Sequence, residues 1–504
     1  MQVIARLSAL RDGSITKAKL GDADVVIVRD GMVVSVFGAT CPHAGAPLAE
    51  GALCHHKLIC PWHKATFCIR DGSVLEPPAL DPLPRYEVRI DGEDVWASSA
   101  PLNPEQEAPT LDGRTVLILG SGAGGTAAAV ALRDAGFGGR IVMIGNEALE
   151  PYDRTVLSKF VLADMKPTDV PPLRRDAYWA NQRIERIDAT ITRVDATAHQ
   201  VHLADGSMHD YEAAVLAPGA VAKRPNLPGA TLPNVYTLRN RLDAASIVAN
   251  APRGARAVII GSSFIGLEAA SALHERGVQV TVVAPEQVPF ASQFGPEIGA
   301  MFRRLHETNG TQFRLGAEVG TIDGVDRADA VSLKNGERLA ADLVILGVGV
   351  SPATDFVDGV RKADDGGVLV DSTMRAADGL YAIGDTAFFP FGDGRVRIEH
   401  WRVAQQHGCV AASNIAGVPR DYDAVPFFWT YHFGRRFEYL GHAEQWDRLH
   451  VDGSFDDQRF VALQIRGDDV VGVVACQREH TTALLIEWMR QPLKVTEALR
   501  ALRT

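Results

Sequence analysis

Two segments of this chain share one texture, and together they fix most of what it can fold into. TVLILGSGAGGTAAAVAL and RAVIIGSSFIGLEAASAL each run an apolar strand into a small-residue turn and then into an Ala- and Leu-rich helix. Strands that alternate with helices in this way form βαβ units, and βαβ units build parallel sheets. In the first segment Gly120, Gly122 and Gly125 give G-x-G-x-x-G between strand and helix. The glycines allow the tight turn and the close approach of backbone to a pyrophosphate, which rests on the helix N-terminus. A Gly-rich turn with no ligand has the same composition, and the strand–turn–helix setting is what favours nucleotide binding. The next strand, RIVMIGNE, places Asn146 or Glu147 at the adenosine ribose; either side chain can bond a hydroxyl. The second segment lies about 140 residues further on, which predicts two nucleotide-binding domains. Gly261 and Gly266 hold its outer positions and Ser263 replaces the middle glycine. The strand after it ends QVTVVAPE, with Ala284 where NAD enzymes carry an acid. Glu286 is the nearby carboxylate, and no Arg stands beside Ala284 to accept a 2′-phosphate. NADH is therefore preferred to NADPH.

The first hundred residues have a different texture. Segments such as DVVIVRDG, MVVSVFG and YEVRIDGEDVWA alternate apolar and polar residues between turns, which argues an antiparallel β domain. Within it, CPHAGAPL and CPWHKATF each offer one thiolate and one imidazole: Cys41, His43, Cys60 and His63. Two Cys on one iron and two His on the other define a Rieske [2Fe–2S] centre. A structural zinc site with two Cys and two His uses the same side chains, but zinc spacings are shorter or group Cys with Cys. Cys54, His55 and His56 lie between the two halves and compete as ligands. The matching CPH and CPWH turns favour Cys60 and His63. These hundred residues resemble the Rieske ferredoxin family. Where high-potential members carry an extra Cys in each loop, this chain has Ala46 and Trp62; where they carry hydroxyls, it has Ala65 and Phe67. Hydrogen bonds to sulfur stabilise the reduced cluster, so their loss predicts a potential near about −150 mV or somewhat above. Lys64 stands where the family usually has Gly, a costly choice if that position needs positive φ.

The chain has 504 residues, so three or four domains are expected. Its net charge of −11 disfavours nucleic acid as a partner. Six cysteines, two of them claimed by the cluster, are no disulfide framework and point to a reducing compartment. The N-terminus has no convincing cleavage site and no stretch approaches a membrane span, so a cytoplasmic location is expected. SSAPLNPEQEAPTLDGR reads as a linker that lets the cluster domain swing. The expected fold is multidomain: an N-terminal antiparallel β Rieske domain, two α/β Rossmann-like nucleotide-binding domains and a C-terminal α+β domain. The expected boundaries are residues 1–100 for the cluster domain, 101–112 for the linker, 113–237 with 359–424 for an FAD domain, 238–358 for an NAD(P)H domain and 425–504 for the C-terminal domain.

EPYDRTVLSK resembles a segment of flavoprotein ferredoxin reductases, YAIGD their second FAD motif, and IEHWRVAQQHG and PFFWTYHFG the segments that close over the flavin. With the order Rieske, FAD, NAD and C-terminal cap, nearly the whole chain resembles the Rieske-bearing apoptosis-inducing-factor-like reductases. That resemblance implies roles. Arg154 and Lys159 lie beside FAD, Lys159 near the flavin N5, and Glu268 pairs with Lys159. Asp385 binds the ribityl or pyrophosphate region. Trp401 lies near the isoalloxazine or nicotinamide and Trp429 near the pyrimidine side, with ordinary core packing as the rival reading for both. Thr155 and Val156 replace the family's Pro pair, and Pro218 makes APG of the usual ATG. No Cys stands between Cys68 and Cys409, which argues against a redox-active Cys pair at the flavin. His407, Cys409 and Cys476 read as buried structural residues. The implied activity carries electrons from NADH through FAD to the fused cluster and on to an unidentified one-electron acceptor protein. An oxygenase is one candidate acceptor, and an NADH-responsive redox sensor is the competing class. The chain is expected to act as a monomer or homodimer.

Overall fold

The computed structural model describes residues 1–102 and 113–503, so nearly all of the expected linker over 101–112 lies outside the described residues. The N-terminal hundred residues form small antiparallel sheets, as the alternation requires. Ser14–Leu20, Ala23–Asp30, Val33–Gly38 and Arg85–Tyr86 make one, and Gln2–Arg6 pairs with Asp94–Ala97 in another. Ala52–Cys54, Lys57–Ile59, Thr66–Cys68 and Val74–Glu76 make a third. The Cys60/His63 loop joins Lys57–Ile59 to Thr66–Cys68 and the Cys41/His43 loop lies between Val33–Gly38 and Ala52–Cys54, both over a core of Val26, Phe37, Leu48, Leu58 and Phe67.

Both strand–turn–helix segments lie at the centre of parallel sheets. Thr115–Leu119 runs between Arg140–Gly145 and Ala213–Leu216. Leu380–Ala382 joins beyond Ala213–Leu216, so this sheet draws strands from both sides of the second unit. Arg256–Ile260 likewise runs between Gln279–Ala284 and Leu343–Leu346. All four core positions of VLIL in the first strand are buried, as expected where helices cover both faces. In such sheets ligands bind in the crevice outside the carboxyl ends of the strands, which is where both Gly turns sit.

From Phe427 onward the chain returns to an antiparallel sheet: Phe427–His432, Arg435–Gly441, Asp469–Cys476, Arg459–Arg466 and Arg448–Ser454. The helix Glu479–Trp488 packs on it. This sheet receives the cluster domain. Ala52 and Ile59 share one apolar core with Trp429, Leu440, Leu463 and Leu485. Arg402 donates to the carbonyls of Pro77 (2.7 Å) and Lys64 (3.1 Å), and Gln406 donates to Glu76 at 2.7 Å. Lys57 pairs with Glu487. The expectation of a swinging domain is therefore corrected. Linker composition sets reach, whereas the surfaces that the linker joins decide whether they stay together. Among the described residues no helix is long and apolar enough to cross a membrane.

Candidate redox site

The two Cys/His loops are closed in the same way. The Cys41 amide donates to the Ala46 carbonyl at 2.9 Å, and the Cys60 amide donates to the Ala65 carbonyl at 2.8 Å. Each loop places a left-handed residue four positions after its Cys, Gly45 at φ 75° and Lys64 at φ 60°. Amides of His43 and Ala44 point at the Cys41 sulfur, and those of His63 and Trp62 at the Cys60 sulfur. The two thiols share a hydrogen bond. The Cys60 neighbour and then burial push the Cys41 thiol up. Cys60 is held down to about 7: burial works against this, and the Cys41 bond, the two amides and Lys64 outweigh it. On the other side His43 Nδ1 and His63 Nδ1 converge to 3.0 Å. Burial holds both imidazoles below their ordinary range, opposed at His43 by the Asp153 carboxylate, so both are neutral and fit to ligate.

Two thiols at one point and two imidazoles at another is the donor set of a two-iron cluster, with a pair of Cys at one end and a pair of His at the other. Among the described residues no three His, Cys, Asp or Glu side chains are placed to hold a single metal ion, which a four-ligand zinc site needs. The competing ligands turn away. Cys54 and Lys57 end the strands of a hairpin whose turn, His55 and His56, has φ 48° and 60°, and His56 pairs with Asp30. No hydroxyl reaches the sulfurs from 65–67: Ala65 and Phe67 are core residues, and Thr66 donates to the Lys64 carbonyl.

Lys64 has a clear physical setting. Its side chain is fully buried, and Nζ donates to Glu438 Oε1 at 2.9 Å, to Oε2 at 3.0 Å and to the Pro61 carbonyl. Thr482 donates to the same carboxylate at 2.5 Å, and Arg436 lies 3.4 Å away. The strained conformation that Gly would relieve is thus coupled to an ion pair between the cluster loop and the C-terminal sheet. Glu438 was not singled out by the sequence reading. Its signal is a lone charge in the apolar run FEYL.

The first Gly turn has a tight backbone and an open helix end. Gly120 has φ 124°, and a Cβ there would lie 2.1 Å from the Ala217 carbonyl, just before Pro218. A Cβ on Gly122, which precedes the helix Ala123–Asp134, would meet nothing within 4 Å, leaving an open face at the helix N-terminus. Ser121, Gly122, Glu147, Tyr152 and Arg154 line one cleft. Glu147 accepts from Tyr152 at 2.8 Å and pairs with Arg154, whereas Asn146 is exposed. These features fit a dinucleotide. Gly125 is the third contact: a Cβ there would lie 1.9 Å from the Gly120 carbonyl. Gly125→Ala is expected to force the turn open and weaken FAD retention by about 5- to 150-fold, from an overpacking cost of about 1–3 kcal/mol. The FAD-to-protein ratio after gel filtration measures this; a ratio equal to that of the unaltered protein would contradict it.

Lys159 sits in the wide turn Leu157–Val161, with Nζ 3.1 Å from both the Thr155 carbonyl and Glu268 Oε2. Thr155 donates its amide to Asp153 at 2.8 Å, a bond the family's proline could not make. Ser158 also donates to Glu268, and Thr430 donates to its other oxygen at 2.7 Å. Trp429 precedes Thr430 and faces the opposite way, as strand alternation dictates. Its indole lies 4.2 Å from the His63 ring, and Lys159 Nζ stands 5.9 Å from that indole. The sequence resemblance placed these residues near the flavin; the structure brings them together with His63.

The second Gly turn explains its serine. Ser263 is the N-cap of the helix Phe264–Glu275 and accepts from the Gly266 amide at 3.2 Å. Gly261 has φ 105°, and Glu286 lies 3.4 Å from Ser262, at the edge of the same turn. Asp385, in the turn after Leu380–Ala382, accepts from Arg239 at 2.6 Å. Trp401 opens the helix Trp401–Ile415, and its indole nitrogen is buried with no partner among the described residues, as is His400 Nδ1. His407 accepts from the Gly384 amide at 3.2 Å between Phe389 and Tyr422, and burial pushes the Cys409 and Cys476 thiols up to about 12.

Residues 114–408 match the family described as pyridine nucleotide-disulphide oxidoreductase, and residues 1–87 match the Rieske [2Fe-2S] domain. The chain is 32% identical over 505 residues to apoptosis-inducing factor 3 of Homo sapiens, covering 96% of this chain and 83% of that protein. It is 33% identical over 373 residues to the chlorobenzene dioxygenase ferredoxin reductase component of a Cupriavidus species, covering 73% of this chain and 90% of that one. The crystal structure of the ferredoxin reductase for the CYP199A2 system of Rhodopseudomonas palustris superposes with a TM-score of 0.73 at 28% identity, over 77% of this chain and all of that one.

Proposed function

The chain belongs to the pyridine nucleotide-disulphide oxidoreductase family and carries an N-terminal Rieske [2Fe-2S] domain, and from that premise we propose that it oxidises NADH and delivers the electrons singly to an external acceptor protein. When bound, FAD accepts electrons in a pair and releases them one at a time, and the [2Fe-2S] cluster carries one. The observation that carries this reading is the Trp429 contact, where one indole meets both His63, a proposed cluster ligand, and Lys159.

The chain's own residues have the following proposed roles. Cys41 and Cys60 hold one iron and His43 and His63 the other. Gly120, Gly122 and Gly125 admit the FAD pyrophosphate, Glu147 with Arg154 holds the adenosine end, and Asp385 holds the ribityl or pyrophosphate region. Lys159, fixed by Glu268, presents a positive charge where negative charge accumulates on reduction. Gly261, Ser263, Gly266 and Glu286 receive NADH, with NADPH as the rival nucleotide. Trp401 closes over the flavin and nicotinamide. The boundaries given above for the domains are kept. We place the chain in the cytoplasm, as a monomer or homodimer.

A relative described as the ferredoxin reductase component of a dioxygenase favours an oxygenase component as the acceptor. Turnover tests the reading against a redox sensor. Steady NADH-dependent reduction of ferricyanide and cytochrome c, many times per flavin, is expected. A single reduction followed by slow reoxidation would make the chain a sensor.

A further inference from the structure

We propose that Glu268 takes up a proton when the flavin is reduced, and that Thr430, His432 and His306 conduct this proton from the solvent side of the domain. The inference rests on the proposed placement of the flavin beside Lys159. Reduction by NADH delivers two electrons and one proton as a unit, which leaves the site one negative charge richer. Glu268, buried beside Lys159, is the carboxylate placed to cancel that charge by forming an O–H bond with a proton from the medium. When the two electrons leave to one-electron acceptors, that proton returns to the medium, and the proton brought by NADH follows. The sum is NADH + 2 acceptor(ox) → NAD+ + 2 acceptor(red) + H+.

From Glu268 to His306 the route is a chain of hydrogen-bond contacts. The Thr430 hydroxyl donates to Glu268 Oε1 at 2.7 Å, so its oxygen is free to accept from His432 Nε2 at 2.8 Å. His432 Nδ1 is then the bare nitrogen, and His306 Nε2 stands 3.2 Å from it. His306 Nδ1 is buried with no partner among the described residues, and neither has the nearby Thr311 hydroxyl, whose own amide bonds the His306 carbonyl at 3.0 Å. Every bond points toward Glu268, the polarity that loads it. Burial lowers both imidazoles, His432 to about 3, and neutral rings donate at one nitrogen while accepting at the other.

The outer end lies one aromatic ring from an open cleft. Phe433 touches the His306 ring at 4.9 Å and the His274 ring at 5.7 Å, and partly exposed His274 lines an open cleft with Gly277, Gly310 and Gln312. That cleft lies at the amino-terminal ends of the strands Arg256–Ile260 and Gln279–Ala284. NADH is assigned to their carboxyl ends, so nucleotide and proton enter from opposite sides. The charged and titratable groups along the route are Lys159, Glu268, His432, His306 and His274, with the Leu267 carbonyl also facing His432.

The test is anaerobic rapid mixing of the holoprotein with one equivalent of NADH, in weak buffer with a pH indicator. Transfer from NADH alone takes no proton from the medium. Uptake of up to one proton per flavin is expected, in step with flavin bleaching. It should vanish in Glu268→Gln, lag bleaching by about 10-fold or more in Thr430→Val, and return in Thr430→Ser. Uptake absent from the unaltered protein, or undiminished in Glu268→Gln, overturns the proposal. The unaltered protein gives a second readout if Thr430→Val does not fold. Its reduced-minus-oxidised infrared spectrum should gain a protonated carboxyl band that shifts in heavy water, and a spectrum without that band overturns the proposal too. Lys159→Met separates this failure from failure of the flavin placement. A flavin absorption band unmoved by that variant sinks the placement; a moved band with no proton uptake sinks only the proton route.

Discussion

Cys60→Ala is expected to abolish the iron–sulfur absorption and EPR signal while leaving FAD bound and reducible by NADH. Cys60 is one of two thiols at one end of the paired loops, and its backbone bond to Ala65 does not involve the sulfur. The cleft at the first Gly turn is lined by Ser121, Gly122, Glu147, Tyr152 and Arg154, none of which belongs to the Cys60 loop. Loss of a ligand to one iron is more severe than loss of an outer partner, which already costs about 10- to 100-fold in metal affinity. Delivery to a protein acceptor should fall by at least about 100-fold, with ferricyanide reduction at the flavin retained. Iron, sulfide and zinc analysis accompanies the measurement. Two irons and two sulfides per chain are expected before the substitution. A cluster that survives Cys60→Ala and is lost in Cys54→Ala would move the ligand to the hairpin.

Glu438→Ala is expected to release the cluster domain from the reductase. Lys64 and Glu438 are both buried, and no solvent is at hand to replace the lost partner. Removing one member of a buried ion pair leaves the other charge uncompensated and costs about 3–5 kcal/mol. Here the penalty falls on the interface. Lys64 would keep only the Pro61 carbonyl as a hydrogen-bond acceptor, Thr482 would lose this carboxylate acceptor and Arg436 this ion-pair partner. Electron tunnelling falls steeply with distance, so separating His63 from Trp429 should slow cluster reduction by NADH while flavin reduction keeps its rate. Faster proteolytic cleavage between residues 101 and 112 should accompany it. The double variant Lys64→Met with Glu438→Leu removes both charges and should recover docking, since apolar replacement of a buried pair is often neutral. A Glu438→Ala protein with unchanged cluster reduction and unchanged proteolysis would contradict this account.

The sequence carried the elements whose chemistry is local. Two strand–Gly–helix runs announced the parallel sheets because the turn residues themselves bear the geometry. Cys41, His43, Cys60 and His63 lie in loops so short that their partners are sequence neighbours. What stayed hidden depended on contacts between distant segments. Lys64 and Glu438 are 374 positions apart, and neither alone predicts the other. Thr430 and His432 read as polar members of a strand, and only packing against the helix Phe264–Glu275 gives them a common partner in Glu268. The linker misled for the same reason: its composition is visible, whereas the surface waiting for Ala52 and Ile59 is assembled from the last eighty residues.

The central claim is that NADH electrons reach the fused cluster through the flavin of the same chain. An anaerobic NADH titration of the iron-replete protein, followed by absorbance and low-temperature EPR, tests it most directly. The account predicts that a Rieske-type EPR signal grows as the flavin absorption bleaches, and that it grows equally well at high dilution, as an intramolecular step requires. Flavin that bleaches fully while no cluster signal appears would contradict the account and leave a plain flavin reductase.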